Sequence, residues 1–413
     1  MPLPASHAPQ NPRRRLLIGS AALLGPAPWL AACTAPPARP ARSCPAEPRY
    51  VGAAPRAALQ AEVWPAFGPD PSIGQTIDRG SAAALDGTLQ TLFERLQPPA
   101  IDAALFIPGR GLWQRSLGLA EVQPVRPLAD SHVFWWASCG KTLTAGAIVQ
   151  CMHEGRLAPG DRLQRWLPAF PQAEQITIGQ LLDHTAGTLS FNHPALGNNP
   201  LNTRHLTPQQ LLQVPMAQGL LSCPGSLFSY SNTGYQLLAL VLEAIDGQPF
   251  HLALQRRVLT PLGITRLRAL APEESLQTLA TPHDGRTPHP AWGIPALMGA
   301  GNVVGRADAF LRFWHGLLTA RLMPQPLVQG MWQRLLPTGA SPGLWYGQGV
   351  MVMEFQDPGG PPRLWLAHPG GSPQANGVVL YEPARRAYAA VAINSAVSAV
   401  AVANALLRTA VPD

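Results

Sequence analysis

Ser138 and Lys141 stand three residues apart in the run Ser138-Cys139-Gly140-Lys141, and their types suit one chemistry. A serine hydroxyl is a weak nucleophile until a neighbour takes its proton. Lysine can do so once burial or a nearby charge has stripped its own proton, whereas arginine stays charged in a protein. Lys141 is the only lysine in the chain, although lysine and arginine together number 30. Arginine fills every other cationic position, so the retained lysine is read as a base rather than a point charge. On a helix, residues three apart face each other, which would set the amine beside the hydroxyl.

Two further polar clusters follow. Tyr230-Ser231-Asn232 comes after Pro224-Gly225, at the entry to a predicted helix, and His368-Pro369-Gly370-Gly371 closes a predicted strand. Taken singly, Tyr-x-Asn fits a helix cap beside a core tyrosine, and His-x-Gly fits strand punctuation. The order and intervals of all three clusters carry the weight. No G-x-S-x-G elbow accompanies them.

The elements that must position these residues follow from periodicity. Ser81 to Gln97 has apolar residues at helical spacing behind a plausible N-cap. Ile101 to Ile107 and Leu112 to Val122 are predicted strands around the turn Pro108-Gly109-Arg110-Gly111. Ser138 to His153, Ile178 to His184 and Ser231 to Ile245 are predicted helices. Arg363 to Ala367, Gly377 to Tyr381 and Ala387 to Ile393 are predicted strands, and an Ala/Val/Leu-rich helix runs to about Thr409. Strands near both ends of the sequence, with helices between, imply one sheet assembled from both termini.

With these motifs in place, the chain resembles the serine β-lactamase and penicillin-recognising superfamily, in the branch of class C β-lactamases, D-Ala-D-Ala carboxypeptidases and family VIII esterases. The resemblance covers about residue 100 to the C-terminus. It includes Ile176 to Gly187 (ITIGQLLDHTAG), Leu167 to Phe170 (LPAF) and Trp345 to Gly349 (WYGQG). It implies an α/β (α+β) fold of β-lactamase/transpeptidase type: an antiparallel sheet flanked by terminal helices, plus an inserted helical domain. Residues 61–130 and 300–413 would form the α/β part, and 131–299 the helical domain. It also implies roles: Ser138 as acylated nucleophile, Lys141 as its proton acceptor and Tyr230 as proton shuttle. Asn232, His368, Gly370 and Gly371 would bind substrate, and the N–H groups of Ser138 and Gly371 would form an oxyanion hole. Pro369 departs from the family's usual Thr and removes a hydroxyl that binds substrate carboxylates. His184 is expected to be structural, while Trp135-Trp136 suit either an acyl pocket or the core.

Composition narrows the class further. The net charge is +7, but residues 1–60 hold seven arginines and a single acid, Glu47. No basic stripe is left for nucleic acid, and no cysteine or histidine spacing suggests a metal; no cofactor is expected. Residues 1–32 are predicted to be a secretion signal, with Arg13-Arg14-Arg15 ahead of a broken apolar run that resembles a Tat leader. Leu30-Ala31-Ala32-Cys33 resembles a lipobox, so Cys33 would carry lipid and residues 33–60 would be a Pro/Ala/Arg tether. Cys223 could pair with Cys139 or Cys151, though buried free thiols are favoured at all three. The resulting expectation is an envelope-anchored serine hydrolase acting through an acyl-enzyme on a small ester, amide or peptide. Its rivals are a non-catalytic envelope lipoprotein that binds peptidoglycan fragments or a protein, and a true β-lactamase or DD-carboxypeptidase. Nothing in the sequence sets the oligomeric state.

Overall fold

Alternation along the strands sorts apolar side chains onto two opposite faces. In β1 (Ala100–Ile107), Ile101, Ala103 and Leu105 belong to one face, and Ala100, Ala104 and Phe106 to the other, all fully buried. A strand apolar on both faces must be covered on both. The computed structural model shows how, over residues 42–46, 48–193, 196, 206–291, 293–356 and 360–412.

The main sheet is built from β1, β2 (Gly111–Glu121), β3 (Arg126–Pro127), β4 (Leu336–Pro337), β5 (Leu344–Tyr346), β6 (Met351–Gln356), β7 (Pro362–Ser372), β8 (Ala375–Glu382) and β9 (Ala387–Ile393). Their order is β3-β2-β1-β9-β8-β7-β6-β5-β4, antiparallel throughout. The pairing of β1 with β9, with Ala104 opposite Ala390, joins strands from opposite ends of the sequence. The sheet expected from both termini is therefore present.

The helices are α1 (Arg79–Leu96), α2 (Lys141–His153), α3 (Ile178–Leu182), α4 (Pro208–Gln218), α5 (Asn232–Asp246), α6 (Phe250–Leu254), α7 (Ala307–Leu318), α8 (Gln325–Gly330) and α9 (Ala399–Ala410). Helices α1 and α9 cover one face, burying Leu85, Leu89, Leu406 and Leu407 against Leu105, Leu380 and Val391. The other face shares a single core with α2, α5 and α7. Helix α1 begins two residues before the expected Ser81, because the Asp78 carboxylate caps it by accepting the Ser81 N–H at 2.9 Å.

Two features matter for the site. Strand β7 extends past its pairing with β6, which ends at Ala367 opposite Met351, so residues 368–372 pair only with β8. His368 thus lies inside the strand, five residues beyond where the predicted segment began, rather than at its end. The second feature is a disulfide between Cys44 and Cys223, with a Cα–Cα distance of 5.6 Å. This corrects the reading of Cys223 as a free thiol; Cys139 and Cys151 are free and buried, as expected. It also attaches the segment expected as a tether. Within that segment Val51 N donates to Ser226 O at 2.8 Å and Arg56 N to Leu335 O at 2.9 Å. Cys33 and the predicted leader lie outside the described residues. Among the described residues, no single helix is long and apolar enough to cross a membrane.

Candidate active site

The serine is placed by the turn that carries it. Trp136 is fully buried, with its indole N–H on Gly305 O at 3.1 Å. Ala137 then adopts a left-handed φ of 46°, and a short 3₁₀ turn, Ala137–Gly140, leads into α2. Ser138 therefore sits on this turn rather than in the first turn of the α-helix, and it borders a cleft of about 170 Å³. Strand β7 comes close beneath. A Cβ on Gly370 would lie 2.3 Å from Trp136 O and 2.8 Å from Ser138 N, so only glycine admits this approach. Gly371, the next residue, lines the cleft together with Ser138.

Lys141 is fully buried. Its Nζ lies 2.9 Å from Ser138 Oγ, 2.7 Å from Asn232 Oδ1 and 2.5 Å from Ala300 O. Burial pulls its pKa down to about 7, partly opposed by the Cys139 thiol. A neutral amine has two N–H donors and one lone pair. Asn232 Oδ1 and Ala300 O can only accept, so both donors are used there. The lone pair is left for the Ser138 hydroxyl, the arrangement a general base requires.

Asn232 opens α5, which Ser231 caps by accepting Gly234 N–H. Besides holding Lys141, Asn232 donates through Nδ2 to Asn192 Oδ1 at 2.8 Å and through its backbone N–H to Ser190 Oγ at 3.0 Å. Tyr230 precedes that cap. Its ring lies 5.0 Å below Lys141 Nζ, and its hydroxyl is hydrogen-bonded with Ser138. Burial raises its pKa, and the Ser138 bond opposes this. At neutral pH Tyr230 is therefore a phenol, a proton donor.

His368 stands apart from the substrate-binding role expected of it. It is 1% exposed and is not among the residues lining the cleft. Its Nδ1 lies 2.7 Å from Pro369 O, an acceptor only, so the proton is on Nδ1. Nε2 is then an acceptor, and Tyr346 O–H donates to it at 3.2 Å. Burial and the Lys141 charge hold its pKa down to about 3, so it stays neutral.

His184 is buried, as expected of a structural residue. Its Nδ1 accepts Ser231 N–H at 3.1 Å and its ring lies 4.2 Å from that of Tyr230. Its Nε2, however, has no partner. The two tryptophans divide the roles left open for them. Trp136 is core, while Trp135 lines the cleft with its indole N–H on Gly301 O at 2.6 Å.

Several cleft residues escaped the sequence reading: Asn192, Ala300, His289, Ile294, Ser372 and Gln374. Asn192 reaches Asn232, and Ala300 reaches Lys141, only through the fold, and a backbone carbonyl leaves no trace in residue type. Among the described residues no group of His, Cys, Asp and Glu is arranged to hold a metal ion.

A model of the beta-lactamase family matches residues 85–411. Penicillin-binding protein 4* of Bacillus subtilis is 32% identical over 194 residues, 45% of this chain and 43% of its own. Esterase EstB of Burkholderia gladioli is 30% identical over 228 residues, 51% of this chain and 57% of its own. The chain thus spans about half the length of the curated relatives it matches. Among solved structures, the D-amino acid amidase of Ochrobactrum anthropi SV3 superposes with a TM-score of 0.71 at 20% identity, over 80% of this chain and 98% of that one. A penicillin binding protein from Bacillus halodurans gives 0.66 at 23% identity, over 77% and 98%. At these identities the structures establish the shared fold. The chain belongs to the beta-lactamase family.

Proposed function

We propose that the protein is a serine hydrolase that cleaves small uncharged esters or amides through an acyl-enzyme. One observation carries the reading: a fully buried lysine whose two donors are taken by pure acceptors and whose third contact is the Ser138 hydroxyl. Neutral Lys141 takes the Oγ proton as Oγ attacks the substrate carbonyl carbon. The oxyanion forms against the N–H groups of Ser138 and Gly371. Tyr230 O–H gives its proton to the departing alkoxide or amine and is reprotonated by the Lys141 ammonium. Water, deprotonated by the same pair, then attacks the acyl carbon and releases the acid and Ser138.

The cleft supports an uncharged substrate. Trp135, Pro290, Ala291, Ile294 and Leu297 form an apolar wall, with Asn192, Asn232, Ser372 and Gln374 as polar groups. No carboxylate or guanidinium lines it among the described residues. Pro369 offers neither a hydroxyl nor an N–H for a substrate carboxylate, and His368 is buried outside the cleft lining. The likeness to an esterase and to an amidase motivates both arms of the test.

Fluorophosphonate labelling of Ser138 is the first test, followed by rates on p-nitrophenyl esters, N-acyl-D-amino-acid amides and nitrocefin. Labelling at Ser138 and turnover of short neutral esters or amides are expected, with nitrocefin slower. A chain that does not label is the non-catalytic binding protein instead, and nitrocefin as the fastest substrate would restore the β-lactamase reading.

An envelope location at a lipid-bearing Cys33 belongs to the same proposal. The Cys44–Cys223 disulfide supports an oxidising compartment. A Cys33→Ser variant is expected in the soluble fraction while the parent sediments with membranes.

A further inference from the structure

A second cavity, of about 220 Å³, lies on the same face of the sheet as the catalytic cleft but at the other end of β8. Gln374, just before β8, lines the cleft, and Tyr381, near its end, lines this cavity. At the rise of an extended strand the two are separated by roughly 20 Å. The loop Pro65–Pro71 lines one side of the cavity, and its Gly68 N–H donates to Thr319 O at 2.9 Å.

Its walls combine rings with unpaired polar groups. Tyr381 and Tyr388 stack with centroids 4.6 Å apart, and His315 meets Tyr388 edge-on at 5.2 Å. Phe67 stands 37% exposed at the rim. Tyr388 is 0% and His315 2% exposed, yet among the described residues the Tyr388 hydroxyl and His315 Nδ1 have no hydrogen-bond partner. Buried polar atoms are nearly always paired, so two orphans in the lining of one cavity point to a ligand. Charge selects its sign. Arg386, which is exposed, and Asp70 both line the cavity; Asp70 is the leading charge on His315, and Arg321 and Arg312 oppose it there, so positive groups outnumber the one carboxylate.

We propose that this cavity is a second small-molecule site that takes a single-ring carboxylic acid. An apolar cavity of roughly 150 Å³ accepts a benzene-sized molecule, so 220 Å³ leaves room for one ring and a carboxylate. The ring lies against Tyr381 and Phe67. The carboxylate faces Arg386, with the Tyr388 hydroxyl as a further donor. The site is independent of the reaction at Ser138.

Calorimetric titration of the full chain with benzoate tests this, with benzamide and acetate as controls for charge and ring. Benzoate is expected to bind unlabelled and fluorophosphonate-labelled protein alike, and more tightly than either control. Arg386→Gln should weaken it roughly three- to tenfold, as for a partly exposed charge-assisted bond. Tyr388→Phe keeps the ring and should also weaken it. The proposal is overturned if benzoate gives no binding, if labelling Ser138 abolishes it, or if both variants bind as the parent does.

Discussion

A buried amine without a carboxylate beside it lowers its cost by giving up its proton. Lys141 is in that position, since burial is the main influence on it and only the Cys139 thiol opposes. The sign of the pH dependence follows. Below about 7 the amine is an ammonium and cannot accept the Ser138 proton; above about 7 it is free to do so. The rate of Ser138 labelling by a neutral fluorophosphonate should therefore rise with pH through about 7 and then level off. A rate flat from acid to neutral pH would rule out Lys141 as the base. Lys141→Arg should be as damaging as Ser138→Ala, because arginine keeps the charge but cannot accept a proton. Retention of more than about a tenth of the labelling rate would be too much for loss of a general base. Asn192→Ala should slow labelling less, roughly tenfold, since it removes only the hydrogen bond that holds the Asn232 amide. Ser138, Lys141, Tyr230 and Asn232 were legible because their chemistry is written in residue type. Asn192 was not: it sits in a loop and meets Asn232 across 40 residues.

At the scale of elements, the site depends on how closely β7 approaches the Ser138 turn. The strand can come so near because β6 stops pairing at Ala367 and leaves residues 368–372 free on that edge. Gly370→Ala would set a methyl 2.3 Å from Trp136 O, and backbone on both sides leaves little room to give. The variant should lose about 1–3 kcal/mol of stability, as overpacking does, and should lose labelling because the Ser138 N–H moves relative to Gly371. Urea denaturation together with labelling checks it; a stable variant that labels at the parental rate would show that the close approach is not needed. Periodicity revealed most of these elements, including Ala387–Ile393 residue for residue. It gave β7 too short, because Pro369-Gly370-Gly371 has the composition of a turn. Those residues hold an extended conformation by pairing with Val378, Gly377 and Asn376 across the strand.

For the whole molecule, the N-terminal segment is a strap rather than a free leash. Sequence could not show this, because cysteine positions do not determine connectivity, and a Pro/Ala/Arg composition suggests no contact. Cys44 is bonded to Cys223, and the Tyr50 ring lies 5.1 Å from the Arg334 guanidinium. Arg334 in turn pairs with Asp183 at 2.8 Å, next to His184. The disulfide closes a loop across a sequence separation of 179, so reducing it frees much of the unfolded chain. Loss of a native disulfide typically costs about 2–5 kcal/mol, and a loop this long lies at the upper end on the chain-entropy account. Cys44→Ser with Cys223→Ser should therefore unfold at lower denaturant, and the parent should match the double variant once reduced. The segment leading to Tyr230 has its own ties: Gly225 N–H donates to Thr185 O at 2.7 Å and Ser229 N–H to His184 O at 2.8 Å. Those bonds hold Tyr230 whether or not the strap is attached. Ser138 labelling of the folded double variant should thus proceed at the parental rate, with only the denaturation midpoint shifted. A midpoint insensitive to reductant would remove the disulfide from the account, and a labelling rate that falls with it would make the strap part of the active site.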